Sequence, residues 1–116
     1  EKDRGAFFNN QRIRVSKKNN MEDCLFAIGG KNTNEPEFLN RKSGCAALDM
    51  AYVASGRYDG YYQKNLNIWD IAAGIILIKE AGGIINDISL NDIENLKVIA
   101  SNPNISSKFQ EKLHNF

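Results

Sequence analysis

Asp70 is the residue whose type and position most directly suggest chemistry. It follows Trp69 at the start of a segment, 69–81, that carries only two further charges. As an N-cap or first-turn acid, Asp70 would satisfy the free amides of a helix start, and spacing alone favours that role. As a metal ligand, it would offer a carboxylate oxygen from a rigid helix end. Asp70 is also predicted to be the only acid of the chain in a buried context suited to metal binding.

A second candidate is the small-residue stretch Ser43-Gly44-Cys45-Ala46-Ala47. Ser43 is the predicted N-cap of the helix that follows. Glycine and alanine at a helix start leave backbone N–H groups uncovered, so an anion or a hydroxyl can approach them. Close packing of another layer explains the same small residues and is the more common reason for them. Gln63 and Lys64 precede the second helix, and their types alone predict that they face solvent.

Cysteine and histidine offer little further chemistry. Cys24 and Cys45 do not form a Cys-x-x-Cys pair, and we predict two reduced, buried thiols rather than a disulfide. The only histidine is His114, which argues against a histidine zinc site or a histidine general base. The sequence contains no Walker A motif, no G-x-S-x-G elbow and no G-x-G-x-x-G loop.

Composition indicates one ordinary soluble domain. The chain has 116 residues, 42% hydrophobic residues and a formal net charge of +1, which excludes a disordered tail or a disulfide scaffold. Its longest apolar run, 71–78, is far shorter than the roughly 20 residues of a membrane helix. With no signal peptide in view, we expect a cytoplasmic protein without membrane contact. The first residue is Glu1, so we also expect a fragment or a processed product.

The basic residues are concentrated near the N-terminus. Residues 1–18 carry six cations and two acids. A solvated hairpin face explains this charge better than a nucleic-acid-binding arm does, although both interpretations stay open.

Hydrophobic patterning predicts strands that alternate with helices. Strands are predicted at 24–28, 58–63, 84–88 and 97–100, and helices at 43–55, 69–81 and 105–113. This order predicts an α/β sandwich with helices on both faces of a sheet. A hairpin over 6–15, turning at Asn9-Asn10, does not obviously belong to that sheet.

The predicted helix ends rest on individual residues. Gly56 is expected just beyond the first helix, and Asn104 is expected to cap the last one. The helix at 69–81 is almost wholly apolar, so it is predicted to be buried on most sides.

Several motifs together resemble the inositol monophosphatase family. Trp69-Asp70-Ile71-Ala72-Ala73-Gly74, followed by Glu80-Ala81-Gly82-Gly83, carries the resemblance most clearly. Further matching segments occur in family order at 5–9, 12–16, 41–54 and 100–103. The resemblance covers nearly all 116 residues, but only the C-terminal half of the family. The Glu-Glu pair and the Asp-Pro-x-Asp-Gly-Thr motif of the family's N-terminal half do not occur in this sequence.

The resemblance implies the C-terminal half of an α-β-α-β-α layered sugar-phosphatase fold. It also implies a Mg²⁺-dependent phosphomonoesterase that converts inositol phosphate and water into inositol and phosphate. Asp70 would be the metal ligand of this half, and Gly44, Cys45 and Ala46 would meet substrate hydroxyls. Gln63 stands where many members have a glutamate that holds inositol hydroxyls.

Two departures from the family pattern affect the implied substrate. The family usually has serine or threonine at the position of Cys45, and Gln63 lacks the charge of a glutamate. Gly29 matches a family glycine near the substrate, whereas Ile28 stands where threonine or serine is often found.

The resemblance also implies an organisation and a set of partners. Residues 1–18 would be a hairpin left from the N-terminal half, and residues 19–116 the C-terminal α/β domain. The partners would be a phosphate monoester, the N-terminal half and a second copy in a homodimer. No catalytic base is expected in this half, so the isolated chain is predicted to be inactive. The alternatives are a non-catalytic protein- or RNA-binding module, or the same fold acting on a sugar bisphosphate or a nucleotide phosphate.

Overall fold

A β-hairpin and a mixed β-sheet account for the strands of the chain. The computed structural model describes residues 5–8, 11–29, 38–86 and 96–113. The hairpin pairs β1 (Ala6–Phe8) with β2 (Gln11–Ile13) in antiparallel register and is separate from the main sheet, as predicted. The Asn9-Asn10 turn lies outside the described residues.

The main sheet contains five strands among the described residues. They are β3 (Phe26–Ile28), β4 (Asn40–Arg41), β5 (Gly60–Leu66), β6 (Ile84–Asn86) and β7 (Leu96–Ser101). Their order is β4-β3-β5-β7-β6. Strand β3 is parallel to β4 and β5, whereas β7 is antiparallel to β5 and β6. Three parallel strands therefore share one carboxyl edge.

Helices cover both faces of this sheet. They are α1 (Ala46–Ala54), α2 (Ile68–Glu80) and α3 (Ser106–Lys112), and a 3₁₀ turn spans Met21–Asp23. Helices α1 and α2 pack on one face, and α3 packs on the other. The predicted α/β sandwich is confirmed.

Alternating side chains build two cores. Phe26 and Ile28 point towards α3, whereas Ala27 between them points towards α1 and α2. Tyr61 and Tyr62 divide in the same way. A central strand with both faces covered must be apolar on both, which explains the uninterrupted run in β3.

Two predicted helix caps are wrong. The N-cap of α1 is Cys45, which makes no side-chain cap hydrogen bond, and Ser43 lies outside the helix. At the start of α3 the buried Asn102 accepts from Ile105 N at 3.1 Å, while Asn104 instead donates to Lys17 O. Local preferences do not distinguish neighbouring polar residues; tertiary contacts determine which one reaches the free amide. Gly56, with φ +81°, lies beyond the end of α1 as predicted.

The prediction that the apolar helix is buried on most sides is also wrong. Of the residues in α2 only Ile71 and Ile78 are buried. Trp69 is 82% exposed and Ile76 is 47% exposed. One face of α2 packs on α1 and the sheet, and composition alone cannot show whether the other face is covered. Among the described helices, none is long and apolar enough to cross a membrane.

The two cysteines have different environments. Both are free, but only Cys24 is buried and Cys45 is exposed, so the expectation of two buried thiols is half wrong. Burial raises the pKa of the Cys24 thiol to about 11. Cys45 is exposed because the helix start that carries it lies at an open edge of the sheet.

The segment after the hairpin is attached to the main sheet through Asp59. This buried carboxylate accepts from Ser16 Oγ at 2.5 Å, from Leu25 N at 2.8 Å and from Lys18 Nζ at 3.4 Å. Asn102 adds a hydrogen bond from its Nδ2 to Ser16 Oγ at 2.8 Å. The division of the chain at residue 18 stays a prediction.

Candidate functional site

The sequence candidates lie where the parallel strands end. Helix α1 begins shortly after β4, α2 begins directly after β5, and Gly29 follows β3. Because β3, β4 and β5 run in parallel, these three points lie at the same edge of the sheet. The carboxyl edge is where open α/β sheets usually bind ligands.

The start of α1 is open. Gly44 has φ +79°, and a Cβ built on it would meet no atom within 4 Å. The N–H groups of Ala46, Ala47 and Leu48 have no acceptor among the described residues. An uncapped helix start presents donors and a partial positive charge, which suits a phosphate or hydroxyl oxygen.

Gln63 is half-buried. The prediction from its residue type, that it faces solvent, is therefore wrong. The buried Tyr61 hydroxyl donates a short hydrogen bond to Gln63 Oε1. A Cβ built on Gly29 would lie 1.9 Å from the same oxygen, so the glycine leaves the space that the amide occupies. Lys64 is exposed and has a bonding partner.

A break in strand pairing follows Gln63. The register between β5 and β7 shifts between Gln63 and Leu66, and Asn65 has φ +59°. Such irregularities re-aim side chains near functional sites. This one turns the chain between Gln63 and the start of α2.

Asp70 is not the N-cap of α2. That role belongs to Asn67, whose Oδ1 accepts from Trp69 N at 3.0 Å. Asp70 lies in the first turn and is exposed, so the prediction of a buried context is wrong. Its carboxylate makes no hydrogen bond or ion pair with any described residue. Because no described residue neutralises its charge, the Asp70 carboxylate is available to bind a cation.

Among the residues that the structure describes, the buried acids are Asp49 and Asp59. Asp49 lies on the inner face of α1, where its Oδ1 accepts from Ser43 Oγ at 2.6 Å and its Oδ2 has no partner. Burial raises the pKa of this carboxyl, and the Ser43 hydroxyl opposes that shift. Sequence reasoning did not single out Asp49. The available signal was an acid on the apolar face that also carries Met50 and Val53.

Two further residues from the sequence analysis lie away from this edge or beyond the described ranges. His114 lies outside the described residues. Ile28, at a position where the family often has a hydroxyl side chain, is buried in the core beneath α3.

The family resemblance implies a Mg²⁺ ion, and the described residues offer one of the ligands that such an ion needs. Nowhere in the described ranges do three or more His, Cys, Asp or Glu side chains form a group that could hold a metal ion. Asp70 alone fits as one ligand, because Mg²⁺ often takes only one or two protein carboxylates together with water and substrate oxygens.

The chain is thus an α/β sandwich domain, and its strand ends, with the open helix start and the free carboxylate, are its candidate site. The inositol monophosphatase family model matches residues 1–115. The chain belongs to that family, which confirms the resemblance read from its motifs.

Individual relatives agree with this assignment. The chain is 33% identical to an inositol-1-monophosphatase of Caulobacter vibrioides, covering 97% of this chain and 52% of that protein. It is 37% identical to a putative Nus factor SuhB of Neisseria meningitidis, covering 88% and 46%. The chain therefore spans about half the length of the curated relatives it matches.

Solved structures share the fold. The extragenic suppressor protein SuhB of Bartonella henselae matches with a TM-score of 0.81 and 41% identity, over 94% of this chain and 48% of that one. An inositol monophosphatase from Anabaena matches with a TM-score of 0.81 and 30% identity, over 97% and 54%.

Proposed function

We propose that this chain is the C-terminal domain of a Mg²⁺-dependent phosphomonoesterase that hydrolyses inositol phosphate or a related polyol phosphate. One observation carries the proposal. The free Asp70 carboxylate and the uncapped amides of α1 lie at the same edge of the sheet, so one edge carries both a cation ligand and an oxygen-binding surface. Relatives named as inositol-1-monophosphatases support it.

Each residue has a distinct role in this proposal. Asp70 supplies one carboxylate oxygen to the cation, and Gly44, Cys45 and Ala46 line the pocket for the alcohol part of the substrate. Gln63 contributes a side-chain amide to that pocket. Bound Mg²⁺ would supply water activation and charge neutralisation at the phosphate and the leaving alkoxide.

The alcohol pocket leaves the substrate class wider than inositol alone. Gln63 has an amide where a glutamate would bring charge, and Cys45 has a thiol where a hydroxyl is usual. A sugar bisphosphate or a nucleotide phosphate is the alternative substrate on the same fold. A relative from Thermotoga maritima, 42% identical over 77% of this chain, is named fructose-1,6-bisphosphatase/inositol-1-monophosphatase.

The proposal also assigns the remaining chemistry to the other half of the protein. Asp70 is the only metal ligand that the resemblance implies for this half, and a single carboxylate cannot hold two or three cations against water, so residues 1–116 alone are expected to be inactive. The whole protein would be a cytoplasmic homodimer, and the free thiols of Cys24 and Cys45 agree with a reducing compartment.

Mg²⁺ titration of the natural protein that contains this chain tests the proposal. Asp70→Asn keeps the size of the side chain but removes its charge, so hydrolysis of inositol 1-phosphate should fall at least tenfold (about 1.4 kcal/mol) and require more Mg²⁺. The fold should persist, because Asn67 caps α2.

Asn67→Ala is the matched control. It removes a helix cap at a cost of about 0.5–2 kcal/mol but leaves the carboxylate in place, so the melting temperature should fall while Mg²⁺ dependence stays. Superimposable Mg²⁺ curves for wild type and Asp70→Asn would refute the metal assignment. A wild-type protein without phosphatase activity would refute the proposed function.

A second candidate function is RNA binding by the basic segment after the hairpin. The exposed Arg14 and Lys17 line an open cavity of about 480 Å³ together with Gly82 and Asn104. Several relatives carry the name Nus factor SuhB. RNA binding that weakens steeply with salt and is lost on joint replacement of Arg14 and Lys17 by alanine would support this function. Binding unaffected by that replacement would exclude this surface.

A further inference from the structure

The conformation of the open helix start depends on a residue inside the helix. Ser43 lies just before α1, and its Oγ accepts the N–H of Cys45 at 3.1 Å. The same hydroxyl donates to Oδ1 of Asp49 at 2.6 Å. Between these residues Gly44 takes the left-handed conformation, with φ +79°. The carboxylate, the hydroxyl and the Cys45 amide therefore form a continuous relay.

We propose that Asp49 is a positioning residue that acts through Ser43 to hold the Gly44–Cys45–Ala46 segment in its substrate-binding conformation. This inference rests on the proposed function for the role of the segment. The relay itself stands on the geometry of the chain.

Direction in the relay follows from what each group can do. A carboxylate only accepts hydrogen bonds, so the Ser43 hydroxyl is the donor to Asp49 Oδ1 at 2.6 Å, which is much closer than its other acceptor, Cys45 O, at 3.4 Å. The oxygen of that hydroxyl is then turned towards the amide of Cys45. Without the Asp49 carboxylate, the serine hydroxyl keeps only its longer contact with Cys45 O, at 3.4 Å, and the exposed segment with a glycine in the left-handed conformation is held less firmly.

Burial makes the anchor rigid. Asp49 has no exposed surface, and its backbone N–H donates to Cys45 O at 3.0 Å within the helix. The side chains around it include Met50 and Val53, which are fully buried in the same core. The Asp49 carboxylate is therefore a fixed point inside the fold, whereas residues 43–45 are all exposed.

The buried Oδ2 of Asp49 has no hydrogen-bond partner among the described residues. A buried oxygen without a hydrogen bond costs free energy, and an apolar residue would avoid that cost. The other oxygen, Oδ1, accepts the hydrogen bond from Ser43 in the exposed segment, which offsets this unfavourable term. A role in ordering that segment accounts for an acid on the apolar face of α1.

Hydrogen exchange at the Cys45 amide tests the relay in the natural protein that contains this chain. Ser43→Ala removes the acceptor of that N–H, so its exchange should accelerate about fivefold. Asp49→Ala should have the same effect because Ser43 loses its orientation, whereas Asp49→Asn keeps an acceptor oxygen and should preserve wild-type exchange. Ser55→Ala, which removes an exposed hydroxyl at the other end of α1, is the matched control and should change nothing.

Kinetics with inositol 1-phosphate test the consequence for the substrate. Ser43→Ala and Asp49→Ala should raise KM about fivefold with kcat changed less than twofold, because the segment binds the alcohol rather than the reacting phosphate. Asp49→Asn should restore KM. A merely structural role would lower the melting temperature without this split between KM and kcat.

The outcomes separate the two proposals. Unchanged Cys45 exchange in Ser43→Ala, or Asp49→Asn behaving like Asp49→Ala, would overturn the relay. If Asp49→Ala does not fold, the exposed Ser43→Ala decides the same question. A wild-type protein without phosphatase activity would refute the proposed function and the substrate role of the segment, while the exchange pattern would still decide whether Asp49 sets its conformation.

Discussion

The Tyr61 hydroxyl donates a hydrogen bond to Oε1 of Gln63, two residues further along β5. The side-chain oxygen of Gln63 thus accepts a hydrogen bond from a buried residue, and the NH₂ group of the same amide remains available as a donor. Burial raises the pKa of the tyrosine, so its hydroxyl stays protonated and remains a donor at physiological pH. A buried side chain in the core beneath α1 and α2 thus fixes the orientation of the Gln63 amide.

Tyr61→Phe should therefore raise KM for the phosphate ester while it destabilises the fold by about 1 kcal/mol, since Gln63 loses its partner. Steady-state kinetics and thermal unfolding of the natural protein provide the two measurements. Tyr58→Phe is the control, because the Tyr58 hydroxyl makes no hydrogen bond to a described residue. Equal KM values in both variants would contradict a role for the Tyr61 hydroxyl.

Gly29→Ala should act through Gln63 and not through the backbone. The new Cβ would overlap Gln63 Oε1, at 1.9 Å, so the amide must move away from Tyr61. We expect KM to rise as much in Gly29→Ala as in Gln63→Ala. In a double-mutant cycle, Gly29→Ala should have little further effect once Gln63 is alanine. Additive effects would show that the two residues act independently.

Asp49→Asn should change the pH dependence of stability. Burial raises the pKa of Asp49 above the ordinary value of 3.8, so its contribution to stability is complete below that value and is lost as pH rises through the folded pKa. The asparagine variant should consequently gain stability relative to wild type near pH 7. Chemical denaturation from acid to neutral pH measures this difference, which should shrink as pH falls. A difference independent of pH would contradict ionisation of Asp49 in the fold.

The exposed apolar residues on the outer faces of α1 and α2 should make residues 1–116 self-associate when expressed alone. Leu48, Trp69 and Ile76 are 42%, 82% and 47% exposed, and a group of such side chains usually marks an interface. Trp69 is the only tryptophan, so its emission should shift to the blue as concentration rises. Ile76→Lys should weaken association measured by light scattering. A monomer at high concentration would contradict the prediction.

Local patterns determined much of this protein. Periodicity located α1, α2 and the strands β3, β5, β6 and β7 within a few residues, because apolar faces must repeat with the geometry of each element, whereas the two-residue β4 was not predicted. The Trp69-Asp70 pair and the Ser43–Ala47 stretch were found from residue type and spacing. The same patterns predicted that the hairpin is separate from the sheet.

Tertiary structure decided which polar residue meets which partner. Asn67 rather than Asp70 caps α2, and Asn102 rather than Asn104 reaches the start of α3. In the described part of the chain, the buried acids are Asp49 and Asp59 rather than Asp70. Capping preferences are nearly equal among Ser, Asp and Asn, so the sequence offers several candidates of similar free energy. Only the packing of distant segments determines which side chain is brought within hydrogen-bond reach. The exposure of Trp69 could not be predicted for the same reason, because the sequence of an apolar helix does not show which of its faces another element covers.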